Sequence, residues 1–118
     1  MTAGSPSTST LSILLIEDNA GDATLIKKYV KSEFPKANLM LADSLEAATK
    51  HFEPPSLSLI LCDLGLPRLS GPSTVTAVTE KMREFNVESP ILVLTGESDD
   101  EVGFACVRLG ASHFVCKR

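Results

Sequence analysis

Leu59-Ile60-Leu61-Cys62-Asp63-Leu64-Gly65-Leu66-Pro67 opens with four apolar residues in succession and then meets an aspartate. A strand with one face in water alternates apolar and polar residues, whereas an unbroken run belongs to a strand covered on both faces, as in a parallel sheet flanked by helices. Working outward, Leu11 to Ile16, unbroken from Ile13, and Ile91 to Leu94 have the same character, and Leu39 to Leu41 and Phe114 to Cys116 are shorter versions. With Leu57 to Cys62 these read as five strands. Residues 13 to 16, 59 to 62 and 91 to 94 are expected at the centre of the sheet, and 39 to 42 at an edge.

Between the strands the apolar period lengthens to that of a helix. Leu25, Ile26, Tyr29 and Val30 share one expected face between Asp22 and Pro35. Leu45, Ala48 and Phe52 follow Ser44 and stop before Pro54-Pro55. Val75, Val78, Met82 and Phe85 form a stripe after Gly71-Pro72, a proline suited to a first helical turn. Ser98-Asp99-Asp100-Glu101 reads as a capping box for a fourth helix carrying Val102, Ala105, Cys106 and Leu109 up to Gly110. Strand and helix alternating in this way predict a doubly wound α/β domain, because parallel strands need crossovers and those are right-handed.

The 118 residues, 43% apolar and 22% charged, suit one domain over residues 11 to 118, with a loose Ser/Thr-rich tail over residues 1 to 10. A net charge of −4 without a basic block argues against nucleic acid or an anionic membrane surface. The apolar runs are too short to span a bilayer. Cys62, Cys106 and Cys116 cannot all pair with one another and lack metal-ligand spacing, so they are expected reduced, in a cytoplasmic protein.

The chemistry lies in the polar residues just past the apolar runs: Glu17-Asp18 after the first, Asp63 after the third, Thr95 after the fourth and Lys117 after the fifth. In an open parallel sheet, ligands bind at that carboxyl edge. Three carboxylates meeting there repel by about 4 kcal/mol per pair at 4 Å and an effective dielectric near 20, which calls for a divalent cation. Oxygen donors without imidazole or thiolate favour Mg²⁺, or Mn²⁺, and such an ion shares phosphate oxygens. Asp63 is then the nucleophile toward phosphorus, Lys117 neutralises the equatorial oxygens, and Thr95 donates a hydroxyl hydrogen bond. Gly65 and Gly96 leave room for the donor to approach.

Taken with Ile13-Leu14-Leu15-Ile16-Glu17-Asp18-Asn19, Ile91-Leu92-Val93-Leu94-Thr95-Gly96 and Gly110-Ala111-Ser112-His113-Phe114-Val115-Cys116-Lys117, the chain resembles the receiver domain of two-component response regulators from Leu11 to Lys117. The resemblance implies a flavodoxin-like five-stranded sheet of order 2-1-3-4-5. It implies that Asp63 takes a phosphoryl group from a histidine kinase or phosphotransfer protein. Asp18, Asp63 and the Gly65 carbonyl would bind Mg²⁺, with Glu17 acting through water. Thr95 and Phe114 would be the switch pair, the hydroxyl moving toward the phosphate and the ring turning inward. Phe114 has no hydroxyl to hydrogen-bond with. Arg118 stands where such domains usually carry proline, and their last helix is absent, as in a piece cut from a longer protein. The sheet face so bared is expected to favour self-association.

Taken singly, each residue has a plainer reading, Asp63 as a turn aspartate and Lys117 as a solvated charge; it is the set that carries the inference. His51 and His113 read as structural, and Cys62 as a small buried hydrophobe. A nucleotide binder would need a Gly/Ser/Thr cradle where Glu17-Asp18 stand. A phosphohydrolase would need a second acid at position 65, so a turnover enzyme is not expected. The remaining alternative is a pseudo-receiver, an interaction module that is never phosphorylated.

Overall fold

The computed structural model describes residues 11–52, 57–66, 71–96 and 100–116. Five parallel strands form one sheet: β1 (Ser12–Ile16), β2 (Asn38–Ala42), β3 (Leu59–Asp63), β4 (Ile91–Thr95) and β5 (His113–Cys116). Their order is β2-β1-β3-β4-β5, with the predicted edge strand at the edge. Among the described residues the helices are α1 (Ala20–Glu33), α2 (Leu45–Thr49), α3 (Ser73–Glu84) and α4 (Asp100–Arg108). From β1 the chain leaves first toward β2 and next toward β3 on the other side, so the crevice at the carboxyl ends of β1 and β3 is the topological switch point.

The unbroken apolar runs are explained by two cores, one on each face of the sheet. Leu14, Ile16, Ile60, Cys62 and Val93 point to the face packed with Phe52, Val75, Val78, Met82 and Cys106. Ile13, Leu15, Leu61 and Leu94 point to the opposite face, where Val30 of α1 meets them. Asn19 caps α1 by accepting from the Asp22 N–H at 2.8 Å, and Ser44 caps α2 by accepting from the Ala47 N–H at 3.1 Å. Gly71 has φ +68°, a left-handed turn that sends the chain into α3 behind Pro72.

Three expectations are corrected. Leu25 and Tyr29 do not face the core; they are 67% and 68% exposed. The buried stripe of α1 runs instead through Ala23, Ile26 and Val30, spaced three and four apart, and the other pair sits on its shoulder. Phe52 lies beyond α2, which ends at Thr49, yet it is buried and meets Phe85 edge to face at 5.8 Å. Phe85 itself lies just past α3, which is stopped by Asn86 in the left-handed region (φ 58°). The tail, Pro54-Pro55 and the Ser98-Asp99 start of the capping box lie outside the described residues, as does Arg118. Val115, level with Leu94 on the α1 side of the sheet, is exposed at the edge. Among the described residues, no helix is long and apolar enough to cross a membrane.

Candidate functional site

Because the strands are parallel and in register, residues that end different strands arrive side by side. Ile16 pairs with Cys62, and Asp63 pairs with Leu94, which places Glu17, Asp63 and Thr95 along one rim. All three are buried, whereas Asp18 is exposed. They line an open cleft of about 680 Å³ together with Asp18, Gly65 and Gly96.

The two buried carboxylates are held locally. The backbone N–H of Glu17 bonds the Ala42 carbonyl at 2.9 Å, and its Oε2 accepts from the Asn19 N–H at 3.3 Å. Oδ2 of Asp63 accepts from the Gly65 N–H at 2.9 Å. A Cβ at Gly65 would stand 3.3 Å from that oxygen, so the missing side chain does keep the carboxylate uncrowded. At Gly96 a Cβ would meet none of the described atoms within 4 Å, so the room there does not depend on glycine.

Carboxylate oxygens of Glu17, Asp18 and Asp63 lie within 4.8 Å of one another. At 4.8 Å an ionised pair repels by about 3.5 kcal/mol at an effective dielectric near 20, less where Asp18 faces water. The cluster offers only hard oxygen donors, which fits a divalent cation of the magnesium type. Cys62 is not part of this chemistry. Its thiol lies in the core and is pushed up from 9.0 to about 12, first by burial and then by the negative charge of Asp63, Cys106 and Glu17. It therefore stays protonated at neutral pH and reads as the buried hydrophobe expected of it.

Of the residues singled out in the sequence, Glu17, Asp18, Asp63, Gly65 and Thr95 converge on one cleft. Lys117 lies outside the described residues; the strand leading to it ends at Cys116, level with Thr95. Phe114 does not line the cleft. It pairs with Val93, two residues short of the rim, and its half-buried ring meets Phe104 edge to face at 5.6 Å. His51 and His113 also stand apart from the cleft. Sequence reasoning missed Asn19 and Asp22, which line the cleft as the cap and first turn of α1. The signal was there: an Asn three residues before an Asp, directly after the acidic pair.

Comparison with known proteins agrees with this geometry. The family model of the response regulator receiver domain matches residues 13–118. The cell cycle transcriptional regulator CtrA of Caulobacter vibrioides is 30% identical over 105 residues, which is 89% of this chain and 43% of that protein. The chain thus spans less than half the length of the curated relatives it matches. Among solved structures, a chain of the Saccharomyces cerevisiae co-crystal of the phosphotransfer protein Ypd1 with the receiver domain of Ssk1 matches with a TM-score of 0.73 and 20% identity, covering 92% of this chain and 79% of that one. A chain of the CheX-CheY-BeF3-Mg+2 complex from Borrelia burgdorferi matches with a TM-score of 0.75 and 17% identity, covering 92% and 78%.

Proposed function

Because the chain belongs to the response regulator receiver domain family, we propose that it is a phosphoacceptor switch in which Asp63 takes a phosphoryl group from a histidine kinase or phosphotransfer protein. The observation that carries this reading is the Asp63 carboxylate, buried at the end of a central strand yet lining an open cleft, with the carboxylates of Glu17 and Asp18 within 4.8 Å. Similarity to a complex containing a phosphotransfer protein supports a partner of that kind.

In the proposed reaction a carboxylate oxygen of Asp63 attacks the donor's phosphorus. The bond from phosphorus to the donor's nitrogen or oxygen breaks, and an acyl phosphate forms. The Gly65 N–H on Oδ2 fixes the plane of the nucleophile beforehand. Asp18, Asp63 and the Gly65 carbonyl, with Glu17 acting through water, would hold Mg²⁺, or Mn²⁺ in its place, which would supply positive charge to the phosphoryl oxygens. The Thr95 hydroxyl donates to the new group, the Lys117 ammonium balances its charge, and Phe114 relays the change to the surface around α4 and β5. One group is accepted per chain, so the domain is a stoichiometric switch rather than a turnover enzyme, acting in the cytoplasm on an output its longer relatives would carry.

Incubation with acetyl phosphate and Mg²⁺ is expected to add one phosphoryl group by intact mass, and Asp63→Asn to add none. Beryllofluoride, a mimic of the phosphoryl group, should bind the wild type under the same conditions. No gain in mass and no beryllofluoride binding would leave an unphosphorylated interaction module as the function.

A further inference from the structure

We infer that Thr74 is a positioning residue for the phosphoacceptor, acting on Asp63 through a single peptide plane; this deepens the proposed function and rests on it. Thr74 sits in the first turn of α3, fully buried beside the aliphatic stripe of Val75, Val78 and Met82. A buried hydroxyl is unfavourable unless it is hydrogen-bonded, and valine has nearly the same shape without that demand.

Other threonines on helices of this chain are less buried and bond locally. Thr24 bonds back to the Ala20 carbonyl at 2.9 Å, Thr49 to Glu46 at 2.7 Å and Thr79 to Thr76 at 2.9 Å. Thr74 instead reaches ten residues back, donating to the Leu64 carbonyl at 3.4 Å. The same carbonyl accepts the Gly71 N–H at 3.1 Å, and the Leu64 N–H donates to the Leu94 carbonyl at 3.3 Å. Leu64 is therefore tied to β4 on one side and to the start of α3 on the other.

The Leu64 carbonyl and the Gly65 N–H belong to one planar trans peptide, so their bonds point in opposite directions. Donors that fix the direction of the carbonyl also fix the direction of the N–H. That N–H is the one aimed at Asp63 Oδ2, 2.9 Å away. Polarisation along the row from hydroxyl through peptide to carboxylate strengthens each bond in turn. Without the hydroxyl, Gly71 alone among the described residues would hold the Leu64 carbonyl, and the nucleophile would sample orientations that do not meet the donor.

The test uses two substitutions that separate packing from positioning. Thr74→Val keeps the shape and removes the donor; Thr74→Ser keeps the donor and removes a methyl group. Phosphorylation by acetyl phosphate in Mg²⁺ is expected to slow about five- to tenfold in Thr74→Val and to stay within about twofold of wild type in Thr74→Ser. Thermal stability should rank the other way, with the valine variant at or above wild type and the serine variant below it. The Gly65 amide proton resonance should move upfield in the valine variant and hold its place in the serine variant. Equal phosphorylation rates for the two variants, or an unmoved Gly65 amide in Thr74→Val, would overturn the inference. Absence of phosphorylation in the wild type would overturn the proposed function instead, and the amide measurement would still decide the role of Thr74.

Discussion

The rim formed by β1, β3 and β4 differs from the corner formed by β5 and α4 in how tightly each residue is held. At the rim, Ile16, Cys62 and Val93 are completely buried and Glu17, Asp63 and Thr95 are almost so. At the corner, His113 and Val115 are exposed, and Phe114 and Cys116 are only half-buried. Phe104, its ring against that of Phe114, is 54% exposed. The nucleophile proposed at Asp63 must be fixed to a few tenths of an ångström, and the centre of a sheet supplies that rigidity. A surface proposed to change shape has to be drawn from the less stable margin. The same fold provides both because a parallel sheet is covered in its middle and open at its sides.

Removing apolar volume gives the sharpest contrast between the two regions. Ile60, fully buried in β3, should cost about 4 kcal/mol when changed to alanine, through lost burial and the cavity left behind. Val115→Ala, at a position already 42% exposed, should cost about 0.5 kcal/mol. Thermal unfolding should therefore fall by roughly 12 °C or more in the first variant and by about 2 °C in the second. Similar losses would mean that the edge strand is as tightly packed as the central ones.

A smaller effect tests the corner itself. A Cβ built on Gly103 of α4 would lie 2.2 Å from Cδ2 and Cε2 of Phe114, so the ring rests directly on the helix backbone. Alanine is the better helix former by about 0.5–1 kcal/mol, but here it must expel the ring, at about 1–3 kcal/mol. Gly103→Ala should then be destabilising by about 1–2 kcal/mol. In a Phe114→Ala background the same change should become stabilising by about 0.5–1 kcal/mol, because only the helical preference is left. A double-mutant cycle by chemical denaturation reads the reversal of sign; its absence would show that the ring is free to leave without cost.

How far the sequence was legible obeys the same division. The central strands were readable because burial on both faces forces unbroken apolar runs such as Ile13 to Ile16, and their ends were readable because in-register parallel strands deliver Glu17, Asp63 and Thr95 to one edge. Helix faces were less so: Leu25 and Tyr29 have the right spacing for a core face, but Ala23 and Ile26 have it too, and only the position of α1 against the sheet decides between them. The role of Thr74 could not be seen at all, since its partner lies ten residues back across a loop. The contact of Gly103 with Phe114 joins a helix to the strand after it, where no periodicity speaks.

The smallest expected effect concerns charge at the rim. Of the three carboxylates gathered within 4.8 Å, only Asp18 is exposed, so it can become asparagine without disturbing the core. In chelator that change removes one repelling charge. Because water screens Asp18, the relief should stay below about 1 kcal/mol, a rise in melting temperature of a few degrees. In Mg²⁺ the order should invert: an ion at ten times its dissociation constant stabilises the wild type by about 1.4 kcal/mol, and a variant lacking one of its oxygen ligands gains less. At the corner, His113→Asn should keep the same offset from wild type in chelator and in Mg²⁺, since it leaves the rim intact and no carboxylate cluster is found at the corner among the described residues. Melting temperatures of the three proteins in chelator and in Mg²⁺ decide the matter. An order that fails to invert would mean that the three carboxylates do not share an ion, and rim and corner would then differ in packing alone.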